Sequence, residues 1–467
     1  MKTTGQSRRF AVMLLSAAMV AAGATALAGS AVAAPVGKAP GVSRATAQAV
    51  ALAFLRHKDA IPWRVLIRDA GAPGITRRVP KPGDASQLEG VFCTTFGNCW
   101  AVGFYGSGDA NLNLALHWNG KRWAKVSMPN PAGTSGGADN ELFGVRCTKP
   151  SNCWAVGDRT KPGGPDLNQI LHWNGKRWSK VPAPDPGGTL EADFNNLFEL
   201  FCTSASNCWT VGDYGGEQGL GSQEILSLAL RWNGKRWAQV ATPNPAGTGK
   251  NDGTGLSSVR CSSASNCWAV GTYGTVGAGE TLRNLAVHWN GKKWSKVSTP
   301  NPGGTAAGTI NTLDSLSCTS ARNCWSAGFA GIINPSFSLV NEAMHWNGTK
   351  WSLAFTPDPD GISTMDVNQL EGISCTTASN CWAVGQYGTI NGSTGSVHNQ
   401  ALHWNGKKWS KAPTPNPGGT AATDFNVLTG VHCTSSIHCW AVGSASTGTG
   451  PDFAQALRWN GSKWSTG

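Results

Sequence analysis

The 467-residue chain lacks the short motifs that are typical of the common enzyme classes. No Gly-x-Ser-x-Gly, His-Glu-x-x-His, phosphate-binding loop or dinucleotide-binding motif occurs in a context that would support its chemistry. Beyond residue 33, no run reaches the ~18 apolar residues that a membrane span needs. The sequence therefore favours neither a recognisable enzyme nor a protein with a transmembrane segment.

The chain also has little net charge outside its N-terminal part. The formal net charge is +12, and residues 1–33 supply +3 of it. Residues 34–84 carry nine Lys and Arg against three Asp, which leaves +3 for residues 85–467. Since the main part is close to neutral, the basic composition gives no argument for nucleic-acid binding.

What the sequence does contain is one stretch written seven times. The shared pattern is Leu-x-x-(Val/Leu/Ile)-x-Cys, five residues, Cys-Trp, two small or apolar residues, Gly, a variable loop, and a (His/Arg)-Trp-Asn-Gly-x-(Lys/Arg)-Trp-like end. The first cysteines of successive copies are 54 to 59 residues apart. Three tryptophans fall in each copy, so 21 of the 22 belong to the repeat and Trp63 alone does not. A repeat of this period indicates one supersecondary unit per copy.

Each copy has the periodicity of four short strands, which we call A to D. Residues 88–93 and 99–103 are short, contain β-branched and aromatic residues and flank a polar turn, which predicts a hairpin. Residues 114–118 and 121–126 flank Asn119-Gly120, a dipeptide that favours tight hairpin turns. One such sheet cannot bury both faces, whereas sheets packed around an axis can. We predict an all-β fold in which residues 85–467 form a seven-bladed β-propeller of four-stranded antiparallel blades.

The N-terminal part differs in composition from the repeats. Residues 1–33 have a basic start, an apolar run and a small-x-small end, which predicts a signal peptide and secretion. Residues 34–84 form a basic extension or linker with a possible helix at 43–57 and a possible strand at 63–67. This extension could be a solvated leader, a propeptide, an arm that contacts an anionic cell wall, or a closing strand.

Export determines how the cysteines are interpreted. An even number at fixed spacing in an oxidising compartment indicates disulfides. Zinc is the alternative, but each Cys-x5-Cys pair offers only two ligands. We therefore predict no metal site at the cysteines and seven disulfides: Cys93–Cys99, Cys147–Cys153, Cys202–Cys208, Cys261–Cys267, Cys318–Cys324, Cys375–Cys381 and Cys433–Cys439.

The repeat resembles the kelch-type β-propeller repeat. The residues that carry the likeness are a hairpin ending in Cys-Trp-Ala-Val-Gly and a later His-Trp-Asn-Gly-Lys-Lys-Trp. The resemblance implies a four-stranded blade, and the repeat is similar also to secreted bacterial propellers rich in tryptophan, including some lectins. Three features depart from the kelch pattern: the Cys pairs, a single Gly where kelch repeats often have two, and longer copies. The copper oxidases with kelch-like propellers use an unpaired Cys beside Tyr, which this chain does not offer.

The lengths of the connections predict where a ligand binds. The A–B and C–D turns keep a constant length, whereas the B–C loops vary freely from copy to copy. In a four-strand meander, the B–C loops and the D-to-A crossings emerge on the same face. Variation confined to one face is typical of a binding face. We call this the variable face.

Two sets of residues are candidates for ligand binding on the variable face. A carboxylate precedes strand A in six copies and could form a ring at the axis that holds Ca²⁺, binds a ligand or supplies an acid–base pair. Alternatively, each carboxylate caps its own turn. Four tyrosines begin the B–C loops. The candidates are Asp84, Asp139, Asp193, Asp252, Asp366 and Asp424, with Tyr105, Tyr214, Tyr273 and Tyr387.

Two further patterns favour a structural role. Five copies keep Asn four residues before His on strand C, as in Asn113 and His117, and both change together in the other two. This indicates a pair in contact, either as seven polar sockets or as a buried hydrogen bond that fixes strand C. The tryptophans could stack on sugars, but their fixed places in every copy favour packing between blades.

The function that these observations favour is extracellular binding. We expect a monomeric secreted protein without a required cofactor, whose multivalent variable face binds glycans of a cell wall or cell surface. One alternative is a polysaccharide hydrolase or lyase that uses the axial carboxylates. The other is a structural propeller that docks a surface protein.

Overall fold

A computed structural model describes residues 85–107, 109–217, 223–249, 251–276, 280–333, 337–389, 395–448 and 450–467. All regular structure in these ranges is strand and turn. Within them, no helix is long and apolar enough to cross a membrane. The predicted signal peptide, the basic extension with its helix and strand, and Asp84 lie outside the described residues.

Twenty-eight strands form seven blades of four strands each. Blade 1 contains β1 (Ser86–Thr95), β2 (Asn98–Ser107), β3 (Ala110–Trp118) and β4 (Trp123–Lys125). Blade 2 contains β5 (Asp139–Lys149), β6 (Asn152–Thr160), β7 (Asp166–Trp173) and β8 (Trp178–Val181). Blade 3 contains β9 (Asp193–Ser204), β10 (Asn207–Glu217), β11 (Gln223–Trp232) and β12 (Trp237–Gln239). Blade 4 contains β13 (Asp252–Ser263), β14 (Asn266–Thr275), β15 (Thr281–Trp289) and β16 (Trp294–Val297).

The remaining three blades repeat this order. Blade 5 contains β17 (Thr309–Ser320), β18 (Asn323–Ile332), β19 (Ser338–Trp346) and β20 (Trp351–Ala354). Blade 6 contains β21 (Asp366–Thr377), β22 (Asn380–Thr389), β23 (Val397–Trp404) and β24 (Trp409–Ala412). Blade 7 contains β25 (Phe425–Ser435), β26 (His438–Ser446), β27 (Phe453–Trp459) and β28 (Trp464–Thr466). Each blade is an antiparallel meander in the order A-B-C-D.

The seven blades close into a ring, as the sequence predicts. The A strands of successive blades contact one another, and β25 contacts β1. At this closing junction the Thr429 hydroxyl donates to the Leu88 carbonyl at 2.8 Å, and the Cys93 amide donates to Nδ1 of His432 at 3.3 Å. All four strands of blade 7 come from one end of the chain. Within the described residues the ring is therefore closed by contacts between blades 7 and 1, since no blade there combines strands from both ends.

Tryptophans fill every junction between blades, which confirms their predicted role. The strand B tryptophan of one blade lies 4.6–5.0 Å from the strand C tryptophan of the next and 5.1–5.4 Å from its strand D tryptophan, measured between ring centroids. Trp100 thus lies against Trp173 and Trp178, and Trp440 of blade 7 lies against Trp118 and Trp123 of blade 1. Offset and edge-to-face geometries of this kind stabilise aromatic pairs beyond the area they bury.

A β-bulge in every A strand explains the glycine of Cys-Trp-Ala-Val-Gly. The register of strand A shifts by one residue just after its leucine, as between Leu88 and Gly90. The strand B glycine lies opposite this bulge. A Cβ atom there would lie only 1.8–2.1 Å from a strand A carbonyl oxygen in all seven blades. Glycine is required at this position because the two backbones approach too closely for any side chain.

The two hairpins of each blade agree with the prediction in kind and differ in detail. The seven predicted disulfides join strands A and B. Strand B continues beyond its glycine, so β2 extends to Ser107 and the B–C loops are shorter than predicted. The C–D connection is a four-residue turn, with strand D beginning at its tryptophan, because Asn119 Oδ1 accepts from the amides of Lys121 and Arg122 at 3.0 and 3.1 Å.

The bulge predicts which glycine tolerates no substitution. We expect Gly212→Ala to lower the free energy of unfolding by about 1–3 kcal/mol or more, because its Cβ would lie 1.8 Å from the Asn196 carbonyl oxygen. Gly97→Ala is the control, since its Cβ would meet nothing closer than 3.9 Å. Chemical denaturation of both variants tests this. Equal stability of the two would contradict the bulge geometry.

Candidate functional site

The asparagine that recurs on strand C holds the linker that follows its own blade. Its side-chain amide donates to the carbonyl of the first linker proline at 2.6–2.9 Å in five blades. Its main-chain amide donates to an Asn or Asp side chain one residue further on, at 2.7–2.8 Å. In blade 3, Ser227 takes the place of this asparagine and makes equivalent bonds. The strand C asparagine is therefore a structural clamp on the proline-rich linker.

The recurring histidine has a different partner. Its Nε2 lies 2.5–3.5 Å from the asparagine side chain that begins strand B in five blades, and its ring packs on the strand B tryptophan at 4.4–4.7 Å. Arg231 replaces it in blade 3 and donates to Asn207 at 3.0 Å. The inference that Asn113 and His117 contact each other is thus wrong. A hydrogen bond that fixes strand C to its neighbour is present, and it is partly buried. The two residues hold different neighbours of the same strand.

A third recurring polar residue, which the sequence analysis did not identify, also holds the linker. An asparagine near the start of strand A accepts from a linker amide at 2.7–3.2 Å and donates both to a linker glycine carbonyl and to strand C of the preceding blade. Comparison of the copies could have found it, because it precedes the strand A leucine by two residues at Asn140, Asn195, Asn311, Asn368 and Asn426.

Four of the six candidate carboxylates before strand A cap their own turns. Asp193, Asp252, Asp366 and Asp424 each accept a hydrogen bond from the amide three residues earlier, at 2.7–2.9 Å. Asp139 is buried at the start of β5. Among the described residues, no group of three or more His, Cys, Asp or Glu side chains is placed to hold a metal ion. The geometry therefore supports the capping alternative, and it gathers no such ring of ligands for calcium.

Three of the four candidate tyrosines form a recurring pair with a lysine. A strand D lysine places its Nζ 3.4 Å from the ring centroid of Tyr105 and 3.8 Å from those of Tyr273 and Tyr387. These lysines are exposed: Lys125, Lys296 and Lys411. Each pair lies where strand B ends and strand D leads into the linker, which is the side of the variable face. In blade 3, Tyr214 has no such lysine, since Gln239 takes that place in the repeat, and it packs against the core between blades 2 and 3.

Blade 6 adds further polar groups to its tyrosine–lysine pair. The ring of His398 lies 5.2 Å from that of Tyr387, and its Nε2 contacts the Ser396 hydroxyl at 3.1 Å. Nδ1 of His398 is buried without a hydrogen-bond partner in the described part of the chain. Burial lowers the pKa of His398, which keeps the ring neutral near pH 7. Nearby, the Thr389 hydroxyl donates to Asp360 at 2.6 Å. Blade 6 thus offers the variable face both donors and acceptors beside an aromatic ring.

A pocket of about 450 Å³ lies at the outer junction of blades 3 and 4, lined by residues that include Asn207, Arg231 and Ala264. Arg231 stands at the strand C position where five other blades have histidine, which is one of the positions proposed above as polar sockets. Arg231 also lies 5.7 Å from the ring of Trp289 in blade 4, so its charged group helps to pack the junction. We assign this pocket to the packing between blades.

A buried carboxyl group occupies a position where blades 2, 6 and 7 have glutamine and blades 1, 3 and 4 have leucine. In blade 2, Gln169 exchanges hydrogen bonds with Asn113 of blade 1 and donates to two carbonyls of its own blade. Glu342 takes this place in blade 5 and accepts from Asn284 of blade 4. Burial, reinforced by the nearby charge of Asp314, raises the pKa of Glu342 well above its usual range. Glu342 therefore keeps its proton to a higher pH than an exposed glutamate does.

Comparisons with known proteins identify no family for the chain. No family model matches, and no curated protein matches. Similar solved structures include the GH74 xyloglucanase from Xanthomonas campestris, 13% identical over 83% of this chain and 55% of that chain, with a TM-score of 0.48. This chain therefore spans about half the length of the xyloglucanase. A PL25 ulvan lyase bound to -[GlcA(1-4)Rha3S]- is 10% identical over 84% of this chain and 98% of that chain, with a TM-score of 0.48. The β-propeller domain of the trilobed protease from Pyrococcus furiosus is 9% identical over 81% and 96%, with a TM-score of 0.43.

The position of Glu342 predicts a pH-dependent stability. The pKa of Glu342 in the folded state is raised above the usual 4.5 of the unfolded state, so the folded protein binds the proton more tightly. The contribution of Glu342 to stability is therefore full below about pH 4.5 and is lost as the pH rises through the folded pKa. We expect Glu342→Gln to be as stable as the wild type at pH 5 and more stable at pH 8 and above. Urea denaturation across this pH range measures the difference.

The reverse substitution is the matched control. Gln169→Glu places a carboxyl group in the equivalent site of blade 2, and we expect its free energy of unfolding to fall as the pH rises. A Glu342→Gln variant that is less stable than the wild type at pH 8 would contradict the assignment of a protonated carboxyl group.

Proposed function

We propose that the protein is a secreted, multivalent binding protein for glycans of a cell wall or cell surface, and that the variable face is its binding surface. The observation that carries the proposal is the recurrence of the tyrosine–lysine pair in blades 1, 4 and 6. No other described blade has such a pair, and its three strand D lysines are exposed. Tyr105 and Tyr273 are half-buried and pack against the cores of the junctions between blades 7 and 1 and between blades 3 and 4. The lysine ammonium groups are therefore the part of the pair that is available for a ligand.

The chemistry of the pair suits a sugar. The lysine holds the tyrosine ring in place, and both side chains present polar groups at the surface, an ammonium and a phenol. Sugars are bound by aromatic surfaces flanked by hydrogen-bond donors and acceptors, and the exposed lysines favour glycans that carry negative charge. Blade 6 supplies the most complete set, because His398 and Thr389 lie near Tyr387. Three weak sites on one rigid ring bind a repeating polymer far more tightly than a single site does.

Secretion and the kelch-type relationship belong to the same proposal. The seven disulfides support an oxidising compartment, where they form and persist. The four-stranded blade and its Cys-Trp-Ala-Val-Gly hairpin support a kelch-like repeat. We further propose that the chain acts as a monomer, since its first and last blades close the ring with each other.

A glycan array with neutral and acidic polysaccharides tests the proposal. We expect the wild-type protein to bind acidic glycans without turnover, and the triple variant Lys125→Ala, Lys296→Ala, Lys411→Ala to lose at least about 100-fold in apparent affinity as the multivalent contribution disappears. A turnover assay on the same sugars accompanies the array. Turnover that Asp366→Asn or Asp424→Asn abolishes would favour the alternative of a hydrolase or lyase that uses the axial carboxylates.

The chain offers a matched control on the opposite face. The triple variant Lys121→Ala, Lys292→Ala, Lys407→Ala removes three exposed lysines from the C–D turns of the same blades. We expect it to bind as the wild type does. Equal losses in the two triple variants would show that only net charge matters, and binding of surface proteins without glycan binding would favour the docking alternative.

A further inference from the structure

One ring of side chains varies between the blades although the surrounding repeat is nearly constant. This ring is formed by the residue before the first cysteine of each copy, near the end of strand A where the disulfides lie. Going round from blade 1, its members are Phe92, Arg146, Phe201, Arg260, Ser317, Ser374 and His432. We call this set the axial ring. Variation at an enclosed position of a repeat indicates a role that the repeat itself does not require.

Five members of the axial ring form a continuous arc across blades 7, 1, 2, 3 and 4. His432 lies 4.4 Å from Phe92, measured between ring centroids. The Arg146 guanidinium lies between two aromatic rings, 4.3 Å from Phe92 and 4.2 Å from Phe201. Arg260 follows at 5.7 Å from Phe201. The aromatic faces hold both guanidinium groups in place and leave the N–H edge of Arg146 free for hydrogen bonds. Arg260 uses its Nη1 to donate to the Val259 carbonyl at 2.8 Å.

The positive charge of this arc is only partly compensated. Glu199 pairs with Arg260 at 2.5 Å, and its second oxygen accepts from the Ser258 hydroxyl. Arg146 makes no hydrogen bond or ion pair within the described part of the chain, and its side chain is only partly exposed. Burial and the neighbouring Arg260 lower the pKa of Arg146 to about 9, so the group stays charged at neutral pH. The carboxylate of Glu199 therefore pairs with one of the two guanidinium groups and leaves the other without an ion pair.

His432 supplies a neutral donor to the same place. Its Nδ1 accepts from the Cys93 amide at 3.3 Å, which puts the ring proton on Nε2. Burial and the two arginines hold the pKa of His432 well below its usual range. On the far side of the ring, Ser317 and Ser374 accept amide hydrogen bonds from the next blade, so their hydroxyls can also donate toward the axis.

We propose that Arg146 and Arg260, with Nε2–H of His432, form a binding site for a small oxyanion on the propeller axis, at the end opposite the variable face. Arginine donates two parallel hydrogen bonds to carboxylate, sulfate or phosphate, and the five N–H donors of Arg146 have no protein acceptor in the described residues. The site is independent of the proposed glycan face. Its ligand is a free anion or the acidic group of a sugar.

Titration calorimetry and thermal unfolding with sodium sulfate test the site, with ionic strength held constant by chloride. We expect saturable binding of sulfate and a raised melting temperature. Arg146→Gln should weaken the binding at least about tenfold, because it removes a charged donor. Arg231→Gln is the matched control, since it removes an arginine from the outer junction of blades 3 and 4 and should leave binding unchanged. Glucuronate and glucose in parallel show whether a sugar carboxylate replaces the free anion.

A crystal of the wild-type protein soaked in selenate provides a second readout that does not depend on the folding of a variant. We expect an anomalous selenium peak with selenate oxygens within hydrogen-bond distance of Arg146. Sulfate binding that is equal in the wild type and Arg146→Gln, the absence of saturable binding, or a selenium peak only at other arginines would overturn the proposal.

Discussion

The structure depends on a tryptophan of each blade inserting between two tryptophans of the next. A thin four-stranded sheet has two faces to bury, and a blade alone can cover neither. The strand B tryptophan of each blade packs against the strand C and strand D tryptophans of the next blade. An open row of blades would therefore leave tryptophans without partners at both ends. Contact of Trp440 with Trp118 and Trp123 removes those ends and closes the ring. The linker clamps and the disulfides then fix each blade in an arrangement that the tryptophans already favour.

The residues that recur in every copy maintain the fold, and the residues that differ between copies are the best guide to function. The recurring Asn, His and Gly residues hold linkers, neighbouring strands and a bulge. Four of the carboxylates before strand A, for which a binding ring was one of two alternatives, cap turns. By contrast, the tyrosine–lysine pairs and the axial ring are blade-specific. They lie at opposite ends of the molecule, one near the variable loops and one near the disulfides, so the protein has two distinct surfaces on which its chemistry can differ from that of a uniform repeat.

Much of the fold could be predicted from the sequence, because each strand, turn and disulfide repeats seven times with the same spacing. The limits were local. Asn113 and His117 change together, yet they hold different partners, because residues four apart on a strand are too far separated to meet. The bulge after Leu88 leaves no mark except a glycine on the facing strand. The capping role of Asp193 depends on how its linker folds, which the sequence left open between two alternatives.

The axial ring could not be predicted for a different reason. Phe92, Arg146 and Phe201 are each more than 50 residues apart in the chain, and the position varies from copy to copy without a pattern. Only the order of the blades around the axis puts an arginine between two phenylalanines. A site that is formed by residues that differ between the copies is therefore the part of a propeller that is hardest to predict from the repeat pattern.

The most direct test of this account is a double-mutant cycle across the closing junction. The cycle uses Trp440→Leu with Trp123→Leu and is compared with Trp100→Leu and Trp178→Leu, the equivalent pair inside the array, by chemical denaturation. A closed ring predicts similar coupling energies for the two pairs, each about 0.5–1.5 kcal/mol. Coupling between Trp100 and Trp178 with none between Trp440 and Trp123 would show that the blades do not close, and would contradict the account.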